Sequence, residues 1–288
     1  MTDTIGFIGL GVMGAGMAKN IIKAGFQLVA TTSSAEKADA FRALGAEIVD
    51  SPAEIASCTT LIVTCVPDAA ALRQTLSGDN GLSSASWEGG LLVDCSTIAP
   101  FEAEEMAAAL ADVGAGLVDA PVSGGRKGAE EGKLTIMCGG SDADVARARP
   151  VLDAMGTNIH HVGPLGAGQA VKACNQLMVA VNMMGAFEAV ALARAAGVDP
   201  KVMREVLSSG AARSGVLEAH ALRYIEGNLE PGFRAELMRK DLGICLAEAK
   251  RNGATLPVTA LVDQFYAEVE AMGGKRWDTS ALLARLER

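Results

Sequence analysis

A glycine-rich loop near the start of the chain constrains the fold more than any other feature of the sequence. The apolar run Ile5–Ile8 leads into the loop, and an amphipathic helical pattern follows it as far as Ala24. A G-x-G-x-x-G loop between a strand and a helix permits a tight turn, close approach of the backbone to a pyrophosphate and close helix–strand packing. The sequence therefore predicts a dinucleotide site, with contacts from Gly9, Leu10, Gly11, Val12, Met13 and Gly14.

Short apolar runs alternate with helical patterns through the first half of the chain. The predicted strands are Ile5–Ile8, Leu28–Thr31, Leu61–Val66, Leu91–Val93, Leu117–Val118 and Leu134–Met137. Two of the intervening helices begin with capping-box patterns, Ser33-x-x-Glu36 and Ser51-Pro52-x-Glu54. This alternation is typical of βαβ units, so we expect an α/β Rossmann-like domain with a doubly wound sheet over residues 1–163.

Helical periodicity replaces this alternation after Gly163-Pro164. We expect an all-α domain over residues 164–288 that contributes to substrate binding and dimerisation, with a first helix from Gly168 to Ala196, ~42 Å long. Polar residues interrupt the apolar stretch of this helix, which indicates a buried helix and not a membrane span. Because the helix is longer than a small domain needs, it either links the two domains or builds a dimer interface, and we expect a homodimer or homotetramer.

Composition excludes several classes of partner. The formal net charge is -9, which argues against nucleic acid and against an anionic membrane surface. The six cysteines form no C-x-x-C pair and no metal-ligand spacing, so we expect no metal site and a reducing environment. The opening residues do not have the pattern of a signal peptide, and a cytoplasmic protein is the expectation.

The end of the second predicted strand bears on which dinucleotide is bound. NAD-selective sites usually place an acid about 20 residues after the glycine loop, to bind the ribose 2′-hydroxyl. This chain has Thr32 and Ser33 there instead. Their hydroxyls can donate to a 2′-phosphate, although Ser33 can equally serve as a helix cap. We therefore favour NADP slightly over NAD.

Four segments, in order, resemble the β-hydroxyacid dehydrogenase family, which includes 3-hydroxyisobutyrate dehydrogenases and tartronate semialdehyde reductases. They are Gly6–Gly14, Asp119–Gly125 (DAPVSGG), Gly166–Gln176 (GAGQAVKACNQ) and Lys240–Leu242. The resemblance covers essentially the whole chain. It implies a Rossmann-like domain, a helical domain, an active site between them, and hydride transfer between NAD(P) and a small carboxylate-bearing β-hydroxy acid or semialdehyde.

The family's catalytic lysine corresponds to Lys172. The resemblance implies that Lys172 protonates the alkoxide during reduction, with a pKa lowered from ~10.4 towards neutrality. Asn175 and Gln176 follow at helical spacings of three and four residues, so they share a face with Lys172 and are expected to orient the substrate or the lysine. Many members have Asn-Asn where this chain has Asn175-Gln176, and the Asn-Gln pair is more similar to the tartronate semialdehyde reductases.

The remaining expected contacts also follow from the resemblance. Ser123, Gly124 and Gly125 are expected to hold the substrate carboxylate, or else to form an ordinary strand-to-helix turn. Thr97 corresponds to a position beside the nicotinamide, although it can also be a helix cap before Pro100. Further cofactor contacts are expected from Val66, Pro67 and Lys240, and Lys240 taken alone looks like half of a surface ion pair with Asp241.

Several activities remain open at this point. Tartronate semialdehyde is the favoured substrate, and 3-hydroxyisobutyrate, sulfolactaldehyde, succinate semialdehyde and threonate are alternatives. Imine reductases share the fold but typically lack the lysine. A catalytically inactive dinucleotide-binding module is the alternative of a different class, and retention of Lys172 argues against it.

Overall fold

The computed structural model describes residues 3–227 and 232–282. Its contacts divide the chain into two compact units, Met1–Lys172 and Ala173–Arg288. The division falls within one long helix, α8 (Ala167–Ala195). The domain boundary expected at residue 163 remains a prediction.

The first unit is built on a nine-stranded sheet in the order β3-β2-β1-β4-β5-β6-β8-β7, with β9 paired to β8. Strands β1 to β6 pair in parallel, whereas β8 runs antiparallel to β6 and β7. The strands are β1 (Thr4–Ile8), β2 (Gln27–Thr31), β3 (Glu47–Ile48), β4 (Leu61–Thr64), β5 (Leu91–Asp94), β6 (Gly116–Asp119), β7 (Val122–Ser123), β8 (Leu134–Gly139) and β9 (Gly156–Gly163). The expected α/β class is confirmed; beyond β6, β8 forms antiparallel pairs with β6 and β7 and a parallel pair with β9.

Helices cover both faces of this sheet, because successive side chains of each buried strand point to opposite sides. Phe7 packs in one apolar cluster with α1 and α7, and its neighbour Ile8 packs in another with α3, α4 and α5. The helices are α1 (Val12–Lys23), α2 (Ala35–Arg42), α3 (Pro52–Cys58), α4 (Ala69–Ser77), α5 (Pro100–Ala111), α6 (Gly125–Glu131) and α7 (Asp142–Met155).

The two expected helix starts have different outcomes. Ser51 caps α3 as predicted: its hydroxyl accepts the Glu54 N–H, and Pro52 occupies the first turn. The prediction for Ser33 is wrong, because Ser34 is the N-cap of α2 and accepts the Lys37 N–H. Ser34 in turn donates its own N–H to the hydroxyl of Thr32. Ser33 is exposed and takes no part in this cap.

The second unit contains helices and no named strand within its described residues. After α8 come α9 (Pro200–Ser208), α10 (Leu222–Ile225), α11 (Ala235–Asn252) and α12 (Pro257–Ala271). A π-helical turn (Leu217–Ala221) precedes α10, and a 3-10 turn (Thr279–Leu282) follows α12. Phe187 of α8 and Tyr266 of α12 are fully buried members of one apolar cluster, so α8 is a core helix of this unit.

Helix α8 is also long and apolar enough to cross a membrane by length and composition alone. Of its most apolar 18-residue window, 44% is already buried within the protein. Met183, Phe187 and Val190 of this helix are completely buried in the core of the second unit. Burial in this core accounts for the hydropathy of α8.

Candidate active site

The glycine loop lies at the carboxyl end of β1, between β2 and β4. Gly9 has a φ of +104°, and a Cβ there would collide with the carbonyl oxygen of Cys65. A Cβ at Gly14 would collide with the carbonyl of Gly9, whereas at Gly11 it would meet nothing within 4 Å. The loop is therefore closed on its protein side and open above Gly11, where α1 begins without a side-chain cap. This arrangement leaves N–H groups at a helix start for a pyrophosphate.

Other expected cofactor contacts follow the carboxyl ends of neighbouring parallel strands. Thr32 and Ser33 follow β2, Val66 and Pro67 follow β4, and Thr97 follows β5. Ligands of open α/β sheets bind along this edge, where the strand order reverses. Here the reversal lies between β1 and β4. Strand topology thus brings together residues that are up to 88 positions apart in the sequence, from Gly9 to Thr97.

A buried polar network joins the ends of β4 and β5. The Asp94 carboxylate accepts a hydrogen bond of 2.8 Å from the Thr64 hydroxyl and one of 3.1 Å from the Ser96 N–H. The Ser96 hydroxyl in turn accepts the Val66 N–H at 2.9 Å. This network fixes the backbone of the two segments, after β4 and after β5, that carry the expected cofactor contacts Val66, Pro67 and Thr97.

The alternative role for Thr97, a helix cap, is wrong. Ala99 occupies the N-cap position of α5, and the carboxylate of Glu102 accepts the Ala99 N–H at 2.9 Å. Thr97 therefore lies in the segment between β5 and α5, outside the cap.

The Ser123 loop connects β7 to α6. Gly124 and Gly125 have φ values of +133° and +60°, in the region that favours glycine. Arg126 and Lys127 follow on the exposed side of α6, where they pair with Glu130 and Glu131 at 2.7 and 3.9 Å. Both cations therefore face solvent and are paired with acids of their own helix.

The start of α8 is fixed by Asp119, at the end of β6. Its carboxylate accepts the Gly166 N–H at 2.8 Å and the Gln169 N–H at 2.7 Å. Burial raises the pKa of the Asp119 carboxyl to about 6, against the lowering effect of these two N–H groups. Lys172 follows one turn later and is only 6% exposed. Its burial distinguishes it from an ordinary surface lysine.

Asn175 and Gln176 are tied to α11 within the second unit. Asn175 donates to the side-chain oxygen of Gln176 at 2.9 Å, and Gln176 donates to the Asp241 carboxylate at 2.6 Å. Lys240 lies 3.1 Å from the other oxygen of Asp241. The ion pair expected between Lys240 and Asp241 is therefore present, but it is not a surface pair, because the Asp241 side chain is 3% exposed.

Several buried polar residues of these networks have no role predicted from the sequence, among them Asp94, Asp119, Gln169 and Asp241. Asp94 and Asp119 each stand at the end of an apolar strand. An acid in that position can be recognised in the sequence as a member of a polar network, because a buried carboxylate requires hydrogen-bond partners. Gln169 and Asp241 carry no local signal, since their partners are about 70 positions away in the sequence.

Comparison with known proteins identifies the family. Residues 4–163 match the model of the NAD-binding domain of 6-phosphogluconate dehydrogenase, and residues 166–286 match that of the NAD-binding domain of NADP-dependent 3-hydroxyisobutyrate dehydrogenase. The 2-hydroxy-3-oxopropionate reductase of Escherichia coli is 41% identical, over 98% of this chain and 97% of that protein. This chain belongs to the β-hydroxyacid dehydrogenase family. The family predicted from the four motifs is thereby confirmed.

Solved structures agree with this assignment. The 3-hydroxyisobutyrate dehydrogenase of Mycobacterium tuberculosis, solved with L-serine, has a TM-score of 0.91 and 32% identity over 100% of both chains. Psf3, solved with NADP+ and 2-OPP, has a TM-score of 0.88 and 27% identity over 98% of this chain and 99% of its own. Like its β-hydroxyacid dehydrogenase relatives, the chain is an NAD(P)-dependent oxidoreductase. The open face above Gly11 fits such a cofactor.

Proposed function

We propose that the protein is a tartronate semialdehyde (2-hydroxy-3-oxopropionate) reductase that uses NADP. The observation that carries the proposal is the buried Lys172, held on a helix whose start is capped by the buried Asp119. The E. coli reductase supports the choice of substrate. The Asn175-Gln176 pair supports it as well, since Asn-Gln resembles these reductases more than the Asn-Asn of many relatives.

The proposed chemistry divides between cofactor and protein. When bound, the nicotinamide donates or accepts the hydride. Lys172 delivers a proton to the oxygen of the aldehyde as it becomes an alkoxide, and takes the hydroxyl proton in the reverse direction. Asn175 orients the substrate oxygen, and Gln176 holds Asn175 in place through their 2.9 Å hydrogen bond.

The proposed substrate contacts lie in the Ser123 loop. Two successive positive-φ glycines turn backbone N–H groups into a concavity that suits a carboxylate, and the Ser123 hydroxyl adds a donor. Because the net charge is -9, such local donors are needed to hold an anion against the overall field of the protein.

The proposed cofactor contacts are the loop from Gly9 to Gly14 and the strand-end residues described above, with Lys240 from α11. Preference for NADP rests on Ser33, which is exposed and released from capping by Ser34. Its hydroxyl and that of Thr32 then lie beside the start of α2, where a 2′-phosphate is favoured.

A homodimer or homotetramer in the cytoplasm completes the proposal. Met178 and Leu192 of α8 are 55% and 72% exposed, and Val206 of α9 is 62% exposed. Apolar side chains of this size on adjacent elements favour burial against another copy of the chain. Light scattering of the purified protein tests the oligomeric state, and a monomer at all concentrations would contradict the proposed homodimer or homotetramer.

A substrate panel tests the activity itself. The panel comprises tartronate semialdehyde, methylmalonate semialdehyde, succinate semialdehyde, sulfolactaldehyde and threonate, each assayed with NADP(H) and NAD(H). We expect the highest kcat/KM with tartronate semialdehyde and NADPH. Preference for methylmalonate semialdehyde would instead assign a 3-hydroxyisobutyrate dehydrogenase, the activity named for the M. tuberculosis structure.

A further inference from the structure

The side chain of Gln169 links two distant segments of the first unit. Its amide oxygen accepts the Ile98 N–H at 3.2 Å, and its amide nitrogen donates to the Ser96 carbonyl at 2.8 Å. Gln169 is 1% exposed, so water does not compete for either bond. One side chain thus holds the backbone on both sides of Thr97.

The backbone of the same residue is held from a second strand. The Gln169 N–H donates to the Asp119 carboxylate at 2.7 Å. Gln169 is therefore attached to the end of β6 through its main chain and to the segment after β5 through its side chain. Lys172 lies three residues later on the same helix, ~4.5 Å further along the axis.

We infer that Gln169 is a positioning residue that sets the placement of Lys172 relative to the nicotinamide-side residue Thr97. The inference rests on the proposed function of these two residues. Proton and hydride must reach the same carbonyl group of the substrate, and a misplacement of 1 Å can cost about 100-fold in rate. The amide of Gln169 is planar and offers an acceptor at one end and a donor at the other. It therefore fixes the position of the segment after β5 relative to the start of α8.

Glutamine is the residue type that these two partners require. Leucine has a similar size but offers neither bond. Glutamate retains the acceptor for the Ile98 N–H, but when ionised it has no proton to donate to the Ser96 carbonyl, so its kinetics are recorded as a pH profile across the ionisation of the new carboxyl. Both replacements preserve volume, so they test the hydrogen bonds and not the packing.

The test compares Gln169→Leu and Gln169→Glu with a matched control, Trp87→Phe. Trp87 donates to the Thr59 carbonyl at 2.8 Å, a buried link between two loops of the same unit that precede β4 and β5, at the opposite edge of the sheet. Steady-state kinetics with the best substrate of the panel, cofactor titration, melting temperature and hydrogen exchange at the Ile98 amide are measured for each protein.

We expect kcat to fall about 10- to 100-fold in both Gln169 variants, with KM for the cofactor changed less than about threefold. Exchange at the Ile98 amide should be faster in Gln169→Leu, which removes its acceptor. Trp87→Phe should lower the melting temperature and leave kcat within about twofold of wild type. A Gln169 variant with wild-type kcat would overturn the inference, as would a loss of kcat that Trp87→Phe reproduces. If Gln169→Leu does not fold, Gln169→Glu decides.

The two proposals fail in distinguishable ways. If the wild-type protein reduces no member of the panel, the proposed function fails. Exchange at the Ile98 amide in Gln169→Leu then still tests the link between the two segments, and unchanged exchange overturns it. If the wild-type protein is active and the Gln169 variants are equally active, the positioning role alone fails.

Discussion

Gln176 of α8 donates to the Asp241 carboxylate of α11 at 2.6 Å, and both side chains are at most 5% exposed. The same amide accepts a hydrogen bond from Asn175, so one residue connects a candidate substrate contact to a buried acid.

Shortening Gln176 should break this connection. Gln176→Asn withdraws the amide by one methylene and leaves a buried carboxylate oxygen of Asp241 without that donor. We expect the free energy of unfolding to fall by about 1–3 kcal/mol. Urea unfolding followed by circular dichroism measures it, with the exposed Gln74→Asn as control. Equal stability of both variants would show that Asp241 finds another donor.

Loss of the Lys172 ammonium should remove the proton donor and leave the cofactor site intact. Lys172→Met keeps the length of the buried chain, and we expect kcat to fall about 10²- to 10⁴-fold with NADPH affinity preserved. Lys127→Met is the control, since the Lys127 side chain is 86% exposed. Unchanged turnover in Lys172→Met would exclude Lys172 as the acid.

Asp119 should make stability depend on pH in a direction opposite to that of most carboxylates. Its folded-state pKa of about 6 lies above the ordinary value of 3.8, so the folded protein binds the proton more tightly than the unfolded chain. The contribution of Asp119 is then greatest below pH 4 and is lost as pH rises to about 6. The loss amounts to about 3 kcal/mol, at 1.36 kcal/mol per pH unit.

Asp119→Asn tests this dependence, because the amide does not titrate. The free energies of unfolding of both proteins are measured from pH 4 to pH 7.5. As pH rises, the free energy of unfolding of the wild type should fall relative to that of Asp119→Asn. Parallel curves would mean that the N–H groups of Gly166 and Gln169 hold the pKa at its ordinary value.

An acid at position 33 should reverse the cofactor preference. Ser33→Asp supplies an acceptor for a ribose 2′-hydroxyl and repels a 2′-phosphate, so we expect the ratio of kcat/KM for NADPH to that for NADH to fall at least about tenfold. Ser34→Ala is the control: it removes the cap of α2, costs about 1 kcal/mol of stability, and should leave the ratio unchanged. An unchanged ratio in Ser33→Asp would place the 2′ position elsewhere.

The sequence predicts those parts of the fold that have a local pattern. The six apolar runs all become strands, and the expected α8 differs by one residue at each end. The other three strands have no such pattern. Strands β3 and β7 are two residues long, and β9 is largely exposed. Their pairing depends on contacts with neighbouring strands of the sheet. The periodicity of a single segment carries no information about such contacts.

The candidate site divides in the same way. Glycines and the spacing of Lys172, Asn175 and Gln176 are visible in the sequence because they follow from local geometry. The roles of Gln169 and Asp241 depend on bonds between residues 65 to 73 positions apart. The prediction of Ser33 as the cap is wrong because two adjacent serines fit the capping pattern equally well. Only the backbone conformation at the start of α2 distinguishes them.

The cap of α8 also has a consequence for synthesis on the ribosome. Asp119 and its strand leave the exit tunnel about 50 residues before Gln169, the residue whose N–H it receives. Domains of growing chains fold from the N-terminus as they emerge. The carboxylate has neither of its N–H partners until the start of α8 has emerged, so we expect the first unit to complete its folding only after Gln169 is translated.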